Sequence, residues 1–175
     1  MSDIFVPTQI SKSPVFVNGF ENLFTRVSGL TTNSLSFATI GQIEILPNVF
    51  NNDLNNARIE FEFLGQVTGV LGNKQFRSQI DGATVYTSPS ANASTNPGTF
   101  RVKIIVIFRN GQFMMYMRTT LGDSGTGSLV INSLGSVAAG FASYDTTISH
   151  IVALQALVVN AADSVRCDWI GASFR

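Results

Sequence analysis

Few side chains in this sequence could carry nucleophilic or acid–base chemistry. His150 is the one imidazole and Cys167 the one thiol in 175 residues. Any histidine-based triad must therefore use His150. It sits in Ile148-Ser149-His150-Ile151-Val152, a strand pattern, and no Gly-x-Ser-x-Gly elbow occurs anywhere. Cys167 alternates onto one face with Val165 and Trp169. That is the setting of a buried, inert thiol, and it points Trp169 into the core as well. A Cys167–His150 dyad requires that their two strands pair. One His and one Cys cannot build a structural zinc site. Asp123-Ser124-Gly125-Thr126-Gly127 offers oxygens but lacks the repeated acidic spacing of a calcium loop. It also lacks the Gly-Lys-Ser/Thr of a phosphate cradle. The expectation is a non-enzyme with no catalytic residues, no metal and no cofactor.

Binding chemistry is the alternative. Arg101, Lys103, Arg109 and Arg118 fall on one predicted hairpin, the nearest thing to a basic patch. Arg101 and Arg109 stand at opposite ends of a strand, roughly 25 Å apart, as solvated strand ends do. Eleven Lys and Arg balance eleven Asp and Glu, whereas nucleic-acid affinity comes largely from neutralising phosphates with excess positive charge. No nucleic-acid partner is expected. Sugar sites use aromatic faces beside Asn and Asp on loops, and Tyr86, Asn92, Asn96 and Tyr144 all lie on or near predicted loops. These four are the candidate glycan or receptor contacts, although loops carry Asn and Tyr in any protein.

The composition narrows the class. Charged residues make 13% of the chain and hydrophobic ones 45%, against about 25% charged in ordinary soluble domains. Disordered chains combine low hydrophobicity with high net charge, so disorder is excluded. A single cysteine excludes a disulfide scaffold. Asn, Ser, Thr and Gly must do the wetting. The length suits one domain with a sizeable core. The first residues, Met1-Ser2-Asp3-Ile4-Phe5-Val6-Pro7, lack the basic region of a secretory signal. The longest apolar run is Ile104-Ile105-Val106-Ile107-Phe108, far short of the ~18 residues of a membrane span, so no membrane insertion is expected.

What must position these residues is a set of strands. Helical periodicity is nearly absent, and period-two alternation recurs. Ile59, Phe61 and Phe63 alternate with Arg58, Glu60 and Glu62. Phe100, Val102, Ile104, Val106 and Phe108 form one apolar face, and Ile105 and Ile107 make the centre of the opposite face apolar too. Asn110-Gly111 then precedes Gln112-Phe113-Met114-Met115-Tyr116-Met117-Arg118, which predicts a type I′ hairpin. Further strands are expected at 35–46, 74–80, 83–87, 128–132, 149–159 and 165–174, with another near 15–17. Loops are expected at 88–98 and 121–127, and 47–57 could hold one short helical turn. The first thirty or so residues alternate poorly and read as an arm. The prediction is an all-β antiparallel sandwich or barrel of eight to ten strands.

Four stretches together resemble the β-sandwich domains of bacteriophage virion proteins. They are Ile40-Gly-Gln-Ile-Glu-Ile-Leu-Pro-Asn-Val-Phe50, then Ala57-Arg-Ile-Glu-Phe-Glu-Phe-Leu-Gly-Gln-Val-Thr-Gly69 with its Gly-x-x-Thr-Gly ending. Gly72-Asn-Lys-Gln-Phe-Arg-Ser-Gln-Ile-Asp-Gly82 follows, and the last is Asn160-Ala-Ala-Asp-Ser-Val-Arg-Cys-Asp-Trp-Ile-Gly-Ala-Ser-Phe-Arg175. The likeness spans about residues 35–175 and lies in the order of elements. It implies a jelly-roll-like sandwich, often a homotrimer, on the virion exterior as a head fibre, decoration, collar or tail-fibre-tip protein. No catalytic residue carries over. On this reading residues 1–34 are an arm contacting other virion proteins or a neighbouring subunit, and 35–175 are the single sandwich domain. Ile105, Ile107, Met114 and Tyr116 are the candidate subunit interface, although a central strand of a monomer would show the same pattern. Two rivals stand beside this: a lectin-like module binding host-surface glycan, and a jelly-roll protein that forms the capsid shell itself.

Overall fold

The computed structural model describes residues 22–45, 47, 57–69, 73–90, 97–109, 112–123, 133–141, 145 and 147–174. Among them are ten strands: β1 (Asn22–Thr32), β2 (Ala38–Ile45), β3 (Ala57–Thr68), β4 (Lys74–Ile80), β5 (Ala83–Thr87), β6 (Gly98–Arg109), β7 (Gln112–Asp123), β8 (Ser133–Phe141), β9 (His150–Val158) and β10 (Ser164–Phe174). They form two sheets, ordered β1-β10-β3-β6-β7-β8 and β2-β9-β4-β5. Every pairing is antiparallel. The expected all-β sandwich is what the chain forms.

The connectivity is that of a jelly roll. β1 pairs with β10, β2 with β9, β3 with β6, and β4 with β5. These nested partners make one long ribbon whose tip is the β4–β5 hairpin. Folding the ribbon over lays β10 beside β3 in one sheet and β9 beside β4 in the other. β7 and β8 extend the larger sheet beyond β6. β6 and β7 pair antiparallel from Arg109 opposite Gln112; the Asn110-Gly111 turn expected between them lies outside the described residues. Ile80 pairs with Ala83, and Asp81 and Gly82 have φ of 48° and 79°, the left-handed pair that a type I′ turn needs.

The core lies between the sheets. Ile59, Phe61, Phe63, Val102, Ile104 and Val106 face Ile40, Ile45, Phe76, Val152 and Leu154, all buried. Lys74 occupies the inward phase of β4, where alternation with Phe76 and Ile80 calls for an apolar residue. Its ammonium is fully buried, 2.7 Å from Oδ2 of the equally buried Asp163, and it donates to the Gly69 carbonyl at 2.6 Å. The pair ties the β3–β4 connection to the β9–β10 turn. Gly69 has φ of 82°, and a Cβ there would lie 1.8 Å from Asp163 Oδ1, so this position requires glycine.

Several expectations change. Trp169 does not face the core: it is 43% exposed. Cys167 pairs with Gly65 and Trp169 with Leu64, so Asp168 is an extra residue in β10. That bulge inverts the alternation. Val165 and Cys167 point inward before it, Ile170 and Ala172 after it. Residues 121–123, expected in a loop, continue β7. Residues 22–32, read as part of the arm, form an edge strand on β10. The strands expected at 15–17 and 128–132 lie outside the described residues, as do residues 1–21 and, of the helical turn expected at 47–57, all but its end residues; Ala57 already belongs to β3.

Candidate functional site

The register places the four candidate interface residues side by side on the outward face of the larger sheet. Ile105 pairs with Tyr116, and Ile107 with Met114, on the adjacent strands β6 and β7. All four are half-buried, while the alternate residues Ile104, Val106, Met115 and Met117 fill the core beneath them. Directly opposed cross-strand side chains lie about 5 Å apart, so the four make one apolar block. On the β3 side the block meets charge. Glu60 pairs with Ile105 and Arg58 with Ile107. Glu60 is only 7% exposed although it faces outward. Arg58 donates to its carboxylate, and Lys103 Nζ stands 3.7 Å from the other oxygen. Arg101 likewise pairs with Glu62. Two members of the predicted basic set are thus matched by carboxylates on β3. Arg118 is exposed on β7.

The outward face of the smaller sheet is different. Gln75, Arg77 and Gln79 of β4 and Gln155 of β9 occupy it. Arg77 Nε donates to Gln155 Oε1 at 2.9 Å, Gln155 Nε2 donates to Thr39 at 3.3 Å, and Gln79 reaches Thr84 at 3.5 Å. The Arg77 guanidinium also lies 4.1 Å over the Phe37 ring. Each amide is met by a different kind of partner, a guanidinium, a threonine hydroxyl or, for Gln75, the Ser88 carbonyl at 2.8 Å. The smaller sheet thus presents an amide ladder beside Leu157 and the 43% exposed Ile151; the larger carries a contiguous apolar block beside an ionic ladder.

The remaining candidates are dispersed. Tyr86 is half-buried on β5 and packs against the core cluster, so its ring is largely taken up by packing. Asn92, Asn96 and Tyr144 lie outside the described residues. Asp123 ends β7 opposite Gly98, and 124–127 lie outside the described residues. Among those described, no group of three His, Cys, Asp or Glu could hold a metal ion. Cys167 and His150 do not form a dyad, because β10 and β9 belong to different sheets. Burial pushes the Cys167 thiol up to about 12, which leaves it protonated and unreactive at neutral pH.

His150 has other partners, which sequence reading did not find. It is buried, with Nδ1 2.6 Å from Asp81 Oδ2 and Nε2 2.9 Å from the Asp145 carbonyl. Asp81 lies 69 positions away in sequence, so no local spacing could signal the contact. The Lys74–Asp163 pair had only a weak signal: Lys74 shares the inward phase of β4 with Phe76 and Ile80, but also with Ser78.

No family model matches the sequence, and no curated protein does. Among solved structures, the chain is similar to one in the structure of infectious bursal disease virus, Gx strain, at 12% identity and a TM-score of 0.24. The match covers 89% of this chain and 38% of that one.

Proposed function

We propose that this chain is a non-enzymatic structural protein of a phage virion, exposed on the particle exterior as a head-fibre, decoration or collar component. It assembles with copies of itself, as a homotrimer, through the outward face of β3, β6 and β7. The observation that carries this reading is the apolar block itself: Ile105, Ile107, Met114 and Tyr116 lie side by side on two adjacent strands, a contiguous surface that a second copy would cover. The jelly-roll wind and the four stretches resembling phage virion domains support the particle assignment. Anchoring falls to the chain ahead of β1, since residues 22–32 are engaged with β10.

The test has two parts. Light scattering on the purified chain should return three times the monomer mass, and a monomer at micromolar concentration sinks the assembly reading. Antibody labelling of intact particles should decorate the surface. Labelling that appears only after particles are opened would overturn the exterior placement.

A further inference from the structure

The two nitrogens of His150 each face an acceptor. Nδ1 meets a carboxylate oxygen of Asp81, and Nε2 meets the main-chain carbonyl of Asp145. A neutral imidazole carries one N–H and one lone pair. It can donate to only one of these, leaving its lone pair against the other oxygen. The ring satisfies both contacts only when both nitrogens carry hydrogen.

The contacts join two separate segments. Asp81 belongs to the β4–β5 turn and is bolted to β9 without help from the ring. Its N–H donates to the Ile151 carbonyl at 2.9 Å, and its Oδ1 accepts the Ile151 N–H at 2.8 Å. Asp145 belongs to the segment ahead of β9. There its carboxylate accepts from the Thr147 N–H and Oγ1 at 2.9 and 2.5 Å. That segment is exposed at 145 and 147–149, and the ring is its hydrogen-bonded tie to the turn.

We propose that His150 is a proton-operated latch: its doubly protonated ring fastens the segment ahead of β9 to the β4–β5 turn, and loss of one ring proton leaves the remaining N–H on the Asp81 carboxylate, the charged acceptor, and releases the Asp145 carbonyl. The latch is closed in acid and open in base. Among the described residues, the charged groups placed against the ring are Asp81 from the turn and Asp145 from the segment itself. On the neighbouring strand β2, Ile45 is the residue opposite His150, while Glu44 stands beside Ile151, on the other face. The hydrogen bonds from Thr147 hold the Asp145 carboxyl below its ordinary value, so it stays ionised while a histidine titrates and does not itself drive the change. This proposal does not depend on the virion reading.

A single histidine makes the test direct. Ring nitrogen and carbon shifts, followed by NMR from about pH 5 to 8.5, report one site. Amide hydrogen exchange at 147–149, corrected for intrinsic base catalysis, reports the segment. Protection there should fall in step with the ring titration, by about tenfold, the ratio set by one net hydrogen bond. In His150→Gln the protection should be flat with pH. Asp81→Asn keeps an acceptor for the Ile151 N–H and tolerates the left-handed backbone, so it should fold and show a much smaller pH response. A ring that keeps one protonation state throughout, amides unmoved while the ring titrates, or an undiminished response in Asp81→Asn would each overturn the latch.

Discussion

The buried pair of Lys74 and Asp163 is the residue-scale feature on which the sandwich depends most. Both side chains are fully excluded from water, and the ammonium bonds a carboxylate and the Gly69 carbonyl. Removing one partner strands the other charge in a low-dielectric interior. Asp163→Ala should therefore destabilise the fold by about 3–5 kcal/mol, whereas replacing both, as Lys74→Met with Asp163→Leu, should recover most of the loss. Urea midpoints of the single and double variants decide it, and additive losses would show that the pair is not coupled. Cys167 offers a second check at this scale. Its thiol, raised to about 12 by burial, should resist a disulfide reagent near pH 8 in the folded protein and react once urea unfolds it. The sign of the linkage follows. Above the ordinary thiol value of 9.0 the unfolded chain sheds this proton while the folded chain keeps it, so this thiol lowers stability as pH rises from there toward about 12. The buried inert thiol was legible in advance from its alternation; the Lys74–Asp163 pair was not, because Ser78 also interrupts the apolar phase of β4 and Asp163 lies 89 positions away. The His150 contacts were not, because tertiary folding alone brings Asp81 and Asp145 to the ring.

At the scale of elements, the alternation of β3 and β6 is regular enough to read directly, and their faces follow it. β10 shows where that rule fails. Extrapolating from Cys167 by twos puts Trp169 in the core, but the extra residue at Asp168 turns it outward. Nothing in the local sequence marks the bulge; its cause lies across the sheet. Gly65 sits opposite Cys167, and a Cβ on it would meet the Arg166 carbonyl oxygen at 1.9 Å and the Phe100 ring at 2.7 Å. Only a residue without Cβ lets the bulged backbone come this close. Gly65→Ala should therefore cost about 3 kcal/mol, the upper part of the overpacking range, measured from urea midpoints. The emission of the single tryptophan should be quenched by iodide in the wild type, as a 43% exposed ring requires. A ring that iodide cannot reach would put the bulge elsewhere. β8 escaped prediction for a different reason: Ser133-Leu134-Gly135-Ser136-Val137-Ala138-Ala139-Gly140-Phe141 is rich in small residues, and its hydrophobic contrast is too weak to mark a face.

For the whole molecule, the low charge content takes on a specific arrangement. Of the described charges, several neutralise each other along β3 and β6, where Glu60 and Glu62 meet Arg58, Arg101 and Lys103. The apolar block on β6 and β7 is left as the uncharged centre of that face. Burying an aliphatic side chain fully stabilises by about 1.5–3 kcal/mol, so four half-buried residues repeated in each copy are enough to matter in an assembly. Charge placed in the block should break it. The double variant Ile107→Lys with Met114→Lys places two ammonium groups on directly opposed positions, where like charges repel and a covering subunit would desolvate both. It should dissociate to monomer in light scattering while keeping its circular dichroism, because both residues face away from the core. Gln42→Lys, on the exposed polar face of the smaller sheet, should leave the assembly intact. If the double variant keeps the wild-type mass, the block is not the seam. If Gln42→Lys dissociates instead, the two faces have exchanged roles and the amide ladder is the side that meets a neighbour.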